Sequence, residues 1–313
     1  MNDFIKKIQN KNISSLGKAF TLIESSREAD QDKSHKLLNE LLKNKKQSQI
    51  IAITGAPGVG KSSFIEYLGI ELIKRGKSVA VLAVDPSSSQ TGGSLLGDKT
   101  RMIELSKNEN AFIRPTPSQS TYGGVAKRTY EGIILCEAAG FDIVLVETVG
   151  VGQSEYEVAS MVDQVYLLMQ PGLGDDLQGM KRGILESANG LIIHKADSNN
   201  LQAARRTMME YQSAMDLFFE ADKAPWAHMV SSIEKTGGND ILNEIESFFK
   251  NNSSLIEGRR RKQRLDWFKR LIEQSWKNRL YSNYSNCINE AKQRIERSEI
   301  TITEALELVE KKF

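Results

Sequence analysis

The chain has 313 residues, of which 40% are hydrophobic and 26% are charged, a composition typical of a globular protein with a sizeable core. Its 42 basic and 40 acidic residues give a net charge of +2, so overall charge provides no reason to expect a nucleic acid or an anionic membrane as a partner. The sequence lacks a long apolar run and a signal-like N-terminus, and Cys136 and Cys287 form no metal or disulfide pattern, so we expect a soluble cytoplasmic protein.

The hydrophobic pattern divides the chain into three regions, 1–46, 47–250 and 251–313. Apolar residues recur at helical spacing in the first region, which predicts an N-terminal helical extension. In the middle region, short apolar runs without polar alternation indicate strands that are covered on both faces, and helical patterns lie between them. Strands are predicted at 50–54, 79–84, 143–146, 165–169, 191–193 and 229–230. Strands alternating with helices predict an α/β domain with a mainly parallel sheet.

The last region, 251–313, is predicted to consist of amphipathic helices without strands. A second helix is predicted over about 284–297, and Thr301 with Glu304 forms a capping box for a final helix at 305–311. The first helix carries an apolar stripe that comprises Leu265, Phe268, Leu271, Ile272, Trp276 and Leu280. Such helices either pack on the α/β domain or form a dimer arm, and amphipathicity alone does not decide between these alternatives.

A glycine-rich loop follows the first predicted strand. The sequence GAPGVGKS, from Gly55 to Ser62, has the pattern GxxxxGK[ST] between a strand and a helix. Backbone N–H groups of such a loop surround phosphate oxygens at a helix N-terminus, so we expect a bound nucleoside phosphate. Lys61 is predicted to reach the β- and γ-phosphates, and the Ser62 hydroxyl to bind Mg²⁺. The predicted contacts of this loop are Gly55, Ala56, Pro57, Gly58, Val59, Gly60, Lys61, Ser62 and Ser63.

Two acidic residues, Asp85 and Glu147, end predicted strands at the same edge of the sheet. Because a hard cation prefers oxygen ligands, both are predicted to bind Mg²⁺ together with Ser62. The sequence ETVG that starts at Glu147 also resembles the DxxG switch, in which the glycine amide, here Gly150, senses the γ-phosphate. Val151 stands where a catalytic Gln usually follows, which predicts slow intrinsic hydrolysis.

The sequence LIIHKAD, at 191–197, places Lys195 and Asp197 at the end of a predicted strand. GTP-binding proteins usually carry Asn-Lys-x-Asp at this place. The carboxylate of Asp197 can accept hydrogen bonds from both N1–H and the N2 amine of guanine, whereas adenine offers no such pair. The aliphatic part of Lys195 can lie over the base. The sequence therefore predicts GTP, with Ser231 and Ser232 as a further loop that contacts guanine.

His194 occupies the position of the usual Asn, whose amide contacts N7 of the base and helps to hold the phosphate loop. An imidazole can donate to N7 through one ring nitrogen, but it lacks the simultaneous donor and acceptor of an amide. The substitution therefore affects the expected nucleotide affinity more than the expected identity of the base. The alternative is that His194 only ends the strand.

Five segments of unusual sequence also resemble one known family. They are DPSSS at 85–89, TGGSLLGDKTRM at 91–102, RPTP at 114–117, ETVGVGQSE at 147–155 and PGLGDDLQGMKRG at 171–183. They closely resemble the GTPase chaperones of adenosylcobalamin-dependent methylmalonyl-CoA mutase. This family is called MeaB in bacteria and MMAA in humans, and its members are also known as ArgK-type transport ATPases.

The resemblance implies a homodimeric P-loop GTPase of the SIMIBI class, with an N-terminal helical extension and a C-terminal dimerisation arm. It implies that Asp98 approaches Mg²⁺ when GTP is bound. It also implies a second switch at 170–183, in which Lys181 makes contacts that depend on the partner mutase. Together with the motifs, it assigns catalytic roles to Lys61, Asp98, Glu147 and Lys181.

The predicted function is a GTP-hydrolysing metallochaperone that gates delivery of adenosylcobalamin to a methylmalonyl-CoA-type mutase and protects or reactivates that enzyme. One alternative is a nickel-insertion GTPase of the same fold, which would need Cys or His ligands near the switches. Another is an ATPase or kinase linked to amino-acid transport, against which Asp197 argues. The predicted partners are the mutase and a second copy of the chain, without nucleic acid or membrane. The basic run at 259–262 is interpreted as a solvated helix face.

Overall fold

The computed structural model describes residues 1–43, 46–85, 102–117, 124–148, 154–172, 186–219 and 224–312. The chain divides into two compact units, Met1–Arg260 and Arg261–Phe313. Among the helices so described, none combines the length and the apolar character needed to cross a bilayer. The first unit contains the sheet and both sets of helices that cover it.

The sheet has seven strands in the order β3-β2-β4-β1-β5-β6-β7, and neighbouring strands are parallel. The strands are β1 Gln49–Gly55, β2 Val79–Asp85, β3 Ala111–Pro117, β4 Ile143–Glu147, β5 Gln164–Met169, β6 Gly190–His194 and β7 Trp226–Val230. Helices cover both faces, as expected for a parallel sheet whose strands are continuous apolar runs. The predicted α/β fold is confirmed.

Twelve α-helices lie within the described residues. The first unit contains α1 Asn2–Gln9, α2 Ile13–Glu24, α3 Glu28–Leu42, α4 Lys61–Lys74, α5 Ile103–Ser106, α6 Gly124–Ala138, α7 Ser154–Ala159, α8 Leu201–Phe218 and α9 Gly238–Asn251. Helix α10, Ser253–Asn283, begins in the first unit and continues into the second, which also contains α11 Ser285–Glu296 and α12 Ile302–Glu310. As predicted, Thr301 caps α12, because its side chain accepts a hydrogen bond from the backbone N–H of Glu304.

Strand β3 was not among the predicted strands, because its sequence AFIRPTP does not read as an apolar run. Arg114, Pro115 and Pro117 interrupt the hydrophobic pattern. Among the described strands it lies at the edge of the sheet and pairs with β2 alone, from Ala111 opposite Val79 to Pro117 opposite Asp85. An edge strand tolerates proline, since it needs hydrogen-bonding partners on one side only.

The N-terminal helices share one hydrophobic core with a face of the sheet. Leu16, Phe20, Leu37 and Leu41 from α2 and α3 are buried in this core with residues of β1, β2, β4 and α6. Each fully buried side chain of this size contributes about 1.5–3 kcal/mol. Arg114 of β3 also forms an ion pair with Glu24 at the end of α2. The helical extension is therefore packed on the sheet inside the first compact unit.

The strand order reverses between β1 and β5. These two strands are neighbours, with Gly55 opposite Leu168. After β1 the chain continues to β2 on one side of the sheet, whereas after β5 it continues to β6 on the other side. Ligands of open α/β sheets bind where the strand order reverses in this way. The loop that follows β1 lies at this place.

The opposite edge of the sheet holds a buried ionic cluster around Arg260, near the start of α10. Arg260 is 8% exposed, and its guanidinium donates to Asp163 Oδ1 at 2.6 Å and to Glu137 Oε1 at 3.1 Å. It also donates to the carbonyl oxygen of Ser48 at 2.5 Å. Asp163 in turn accepts a hydrogen bond from the backbone N–H of Ile50 at 2.9 Å. The interpretation of the basic run at 259–262 as a solvated face is wrong for Arg260, because two buried carboxylates surround it.

Replacing Arg260 with Ala should destabilise the protein by about 3–5 kcal/mol, because the carboxylates of Asp163 and Glu137 would stay buried without their cation. The free energy of unfolding in urea measures this effect. Arg261→Ala is the matched control. Arg261 is the next residue of the helix and is exposed, so its loss should change stability by less than about 0.5 kcal/mol. Equal stabilities of the two variants would contradict the assigned role of the cluster.

Candidate nucleotide site

The phosphate loop connects the buried end of β1 to the first turn of α4. Gly58 and Gly60 have φ values of 80° and 97°, in the left-handed region that favours glycine. Gly60 is the N-cap of α4, so the free N–H groups of the first helical turn point out of this end of the helix. Lys61 is 9% exposed, and its ammonium donates to the carbonyl oxygens of Gly55 at 2.8 Å and Ala56 at 3.2 Å. A glycine-rich turn that leads into a helix N-terminus is an arrangement that favours anions.

The predicted magnesium ligands Ser62 and Glu147 are brought together at the floor of the site. The Ser62 hydroxyl, at the start of α4, donates to Glu147 Oε1 at 2.8 Å. Glu147 ends β4 and is 8% exposed, with Ile53 of β1 opposite it in the sheet. Asp85 ends β2 at the same edge, although its side chain lies outside the described residues. A hydroxyl and a carboxylate at this distance form a donor set that suits Mg²⁺, which binds oxygen ligands.

His194 holds the phosphate loop from the side of β6. Its Nδ1 lies 2.8 Å from the carbonyl oxygen of Val59, and its Nε2 lies 2.7 Å from Ser232 Oγ. Because a carbonyl oxygen only accepts, Nδ1 carries the proton, and Nε2 accepts from the Ser232 hydroxyl. Burial lowers the pKa of His194, although the hydrogen bond to Val59 opposes this shift, so the ring is neutral near pH 7. The sequence left open whether one ring nitrogen donates to N7 of the base or His194 only ends the strand; in the structure both nitrogens have protein partners.

Lys195 makes a second link to the phosphate loop. Its ammonium donates to the carbonyl oxygen of Gly58 at 2.7 Å and to Gln170 Oε1 at 3.0 Å. The backbone of Lys195 has a φ of 57°, a left-handed conformation that turns the chain sharply at the end of β6. The long side chain is thereby extended over the loop, and the contact of its aliphatic part with the base stays a prediction. Gln170, which directly follows β5, is the first residue of the predicted switch at 170–183, but its contact with Lys195 was not predicted.

Asp197 is positioned by the loop that follows β7. The hydroxyl of Ser231 donates to Asp197 Oδ1 at 2.5 Å and accepts a hydrogen bond from the backbone N–H of Glu234 at 2.9 Å. The Glu234 carboxylate accepts from the backbone N–H of Ser198 at 2.9 Å. The two loops are therefore joined at two points. A carboxylate has about four acceptor positions, so Asp197 can accept from Ser231 and still accept both donors of a guanine ring.

Most of the predicted site residues meet at this edge of the sheet. The phosphate loop, Ser62, Glu147, His194, Lys195, Asp197, Ser231 and Ser232 are linked by the contacts given above. Ser63 is exposed beside them on α4. Gly150, Asp98 and Lys181 lie outside the described residues, so their predicted roles stay predictions. The contacts of Gln170, the first residue of the predicted switch, and of Glu234 were not predicted, because both residues meet their partners only in the folded chain.

Comparison with known proteins identifies the sequence relatives of this chain. Residues 16–285 match the model of the family described as methylmalonyl Co-A mutase-associated GTPase MeaB. The chain is 41% identical to GTPase ArgK of Escherichia coli over 283 residues, which cover 89% of this chain and 86% of that protein. It is 46% identical to the mitochondrial methylmalonic aciduria type A homolog of Mus musculus over 236 residues, which cover 72% of this chain and 57% of that protein.

The fold also has a similar solved structure. The crystal structure of an LAO/AO transport system kinase superposes with a TM-score of 0.81 at 31% sequence identity, and the match covers 99% of this chain and 96% of that one. Sequence and fold comparisons therefore point to the same group of P-loop proteins.

Replacing Gly60 with Ala should weaken GTP binding at least about tenfold. A left-handed φ costs a residue with a Cβ roughly 1–2 kcal/mol. The added Cβ would also lie 2.6 Å from Cε1 and 2.7 Å from Nδ1 of His194, which would force the ring away from Val59. A fluorescent GTP analogue in an equilibrium titration measures the affinity.

Gly76→Ala is the matched control for this substitution. Gly76 follows α4 at its far end, has a φ of 76°, and has no atom within 4 Å of an added Cβ. It therefore introduces the same backbone strain without the contact to His194. Equal GTP affinities for the two variants would show that the proximity of Gly60 to His194 has no effect on the site.

Proposed function

Because the chain belongs to the family of methylmalonyl-CoA mutase-associated GTPases called MeaB, we propose that it is a chaperone of an adenosylcobalamin-dependent acyl-CoA mutase. Its activity as a GTPase follows from the family and from the P-loop fold. The proposed output of GTP hydrolysis is a conformational change that gates cofactor delivery and protects or reactivates the mutase. The observation that carries the nucleotide part of this proposal is the contact of Lys195 and His194 with the phosphate loop beside Asp197.

The residues of the site have distinct roles in this proposal. Asp197 selects guanine through its N1–H and N2 amine, and Ser231 orients the carboxylate. Lys61 places a positive charge at the phosphate loop, where it stabilises the charge of the β- and γ-phosphates. Ser62 and Glu147, with Asp85 and Asp98 as further predicted ligands, would hold Mg²⁺. When bound, this ion neutralises charge on the phosphate oxygens during hydrolysis.

Two contacts connect the phosphate loop with segments that the sequence predicts to be switches. Lys195 joins Gly58 to Gln170, the first residue of the predicted switch at 170–183. Ser62 contacts Glu147, the first residue of the ETVG sequence. A nucleotide that alters these contacts can therefore bias both segments, and a partner that binds one arrangement of them would respond to GTP. We assign to Lys181, within the first of these segments, contacts that depend on the partner mutase.

The nickel-insertion alternative requires a thiolate or histidine ligand near the switches. Cys136 does not suit this role, because it is fully buried in α6, where burial and the neighbouring Glu137 raise the pKa of its thiol well above the usual range. Cys287 is in α11, in the second compact unit. The transport-linked alternative would use ATP, which lacks the two donors that Asp197 accepts. We therefore favour the mutase.

The proposed function is tested by steady-state GTP hydrolysis with and without a methylmalonyl-CoA mutase from the same organism. A slow basal rate should rise at least about tenfold with the mutase, since partner proteins of GTPases often supply groups that stabilise the transition state. Lys61→Ala, which removes the ammonium at the phosphate loop, should abolish both rates. A basal rate that no adenosylcobalamin-dependent acyl-CoA mutase changes would sink the chaperone proposal and leave the GTPase activity.

Self-association is proposed through the apolar stripe on α10. Leu265, Phe268 and Trp276 are 61%, 61% and 74% exposed, and Ile272 is 42% exposed. Their spacing of three or four residues places these side chains on one side of the helix. Exposed apolar surface in a continuous stripe is typical of a protein interface. We therefore propose that this stripe binds its counterpart in a second copy of the chain.

Replacing both Phe268 and Trp276 with Glu should convert the dimer into a monomer, because dimer formation would then bury two carboxylates at the centre of the interface. Light scattering coupled to size-exclusion chromatography measures the mass. Lys277→Glu is the control, because Lys277 is exposed and lies about 100° around the helix from Trp276. A wild-type protein that is monomeric at high concentration, or a double variant that stays dimeric, would refute this interface.

A further inference from the structure

The substitution of His194 for the usual Asn changes what the base site can recognise. An Asn amide has two N–H donors and an acceptor oxygen, so it can bind the phosphate loop and still donate to N7 of a base. A neutral imidazole has one donor and one acceptor. In this chain the donor, Nδ1–H, binds the carbonyl oxygen of Val59, and the acceptor, Nε2, receives the Ser232 hydroxyl. Neither ring nitrogen is left to donate to a base.

The surroundings of the ring keep this arrangement in place. His194 is 3% exposed, and its ring packs edge-on against Phe64 with centroids 6.0 Å apart. On its other side the ring lies so close to Gly60 that even a Cβ there would meet Cε1 at 2.6 Å. Turning the ring by 180° would replace each nitrogen by a carbon and break both hydrogen bonds. The donor therefore stays committed to the carbonyl of Val59.

We propose that this protein recognises guanine through the Watson–Crick edge alone, and that His194 is a positioning residue that fixes the phosphate loop to the loop after β7. Asp197, oriented by Ser231, accepts from N1–H and the N2 amine, and no donor from His194 reaches N7. The ligand class follows from this geometry. It comprises guanine nucleotides with an intact Watson–Crick edge, including those without a hydrogen-bond acceptor at position 7. The inference rests on the proposed use of GTP.

The test compares the affinities of GTP and 7-deaza-GTP, in which a C–H group replaces N7 and the Watson–Crick edge is unchanged. The wild-type protein should bind the two nucleotides with dissociation constants that differ by less than about threefold. His194→Asn should restore a donor for N7 and so favour GTP by about threefold to tenfold, the effect of one net hydrogen bond. His35→Asn is the matched control, since His35 is exposed on α3, and it should behave like the wild type.

Ser232→Ala gives a second measurement that does not depend on how well His194→Asn folds. Loss of the Ser232 hydroxyl leaves Nδ1–H of His194 bound to Val59, so the ring still has no donor for a base. The affinities for GTP and 7-deaza-GTP should therefore fall together, and their ratio should stay below about threefold. If His194 had only a general structural role, His194→Asn and Ser232→Ala would both leave the ratio of the affinities for GTP and 7-deaza-GTP unchanged. We expect that ratio to change in His194→Asn and to stay the same in Ser232→Ala.

A wild-type preference for GTP over 7-deaza-GTP of more than about threefold would overturn this inference, because some group would then be reading N7. That result would leave the proposed GTPase chaperone intact, since GTP would still bind. Conversely, a lack of response to any mutase would refute the chaperone proposal without altering the ratio of affinities. A protein that binds neither nucleotide would overturn both.

Discussion

Phosphate binding by a loop requires its N–H groups to be available to the ligand, and this leaves its carbonyl groups to be satisfied from elsewhere. In this protein the end of β6 provides two of those donors. His194 donates to the carbonyl oxygen of Val59, and Lys195 donates to that of Gly58. Lys61 donates to Gly55 from within the loop itself. Because buried or partly buried backbone acceptors are costly to leave unpaired, these side chains determine the conformation of the loop.

The same constraint explains why the base site and the phosphate site form one unit. The residues that hold the loop adjoin Asp197 in the chain, and Ser231 and Ser232 connect them to the loop after β7. The predicted base site is therefore connected to the phosphate loop through a short stretch of chain and through hydrogen bonds. At the other edge of the sheet, Arg260 fixes the first turns of α10 to the starts of β1 and β5. The parallel sheet separates these two regions by the length of its strands.

Much of this arrangement could be predicted from the sequence, because it depends on local patterns. The phosphate loop, the strands around it and the positions of Glu147 and Asp197 at strand ends all follow from motifs of a few residues. Features that depend on distant partners could not be predicted. The sequence does not indicate that Arg260 is buried against Asp163, or that Lys195 meets Gln170. The two hydrogen bonds of His194 likewise become evident only when Val59 and Ser232 are placed beside it.

The edge strand β3 affects how copies of this protein can associate. Pro115 and Pro117 have no backbone N–H, so alternate positions along this strand cannot donate to a neighbouring chain. Prolines of edge strands usually occupy the positions that face solvent, which makes this edge a poor template for an additional strand. A continuous sheet that extends through β3 into a second copy is therefore disfavoured, and the same edge is protected against amyloid-like aggregation. Contacts between copies are therefore expected to involve the helices, whose side chains can form an interface without backbone hydrogen bonds from the sheet.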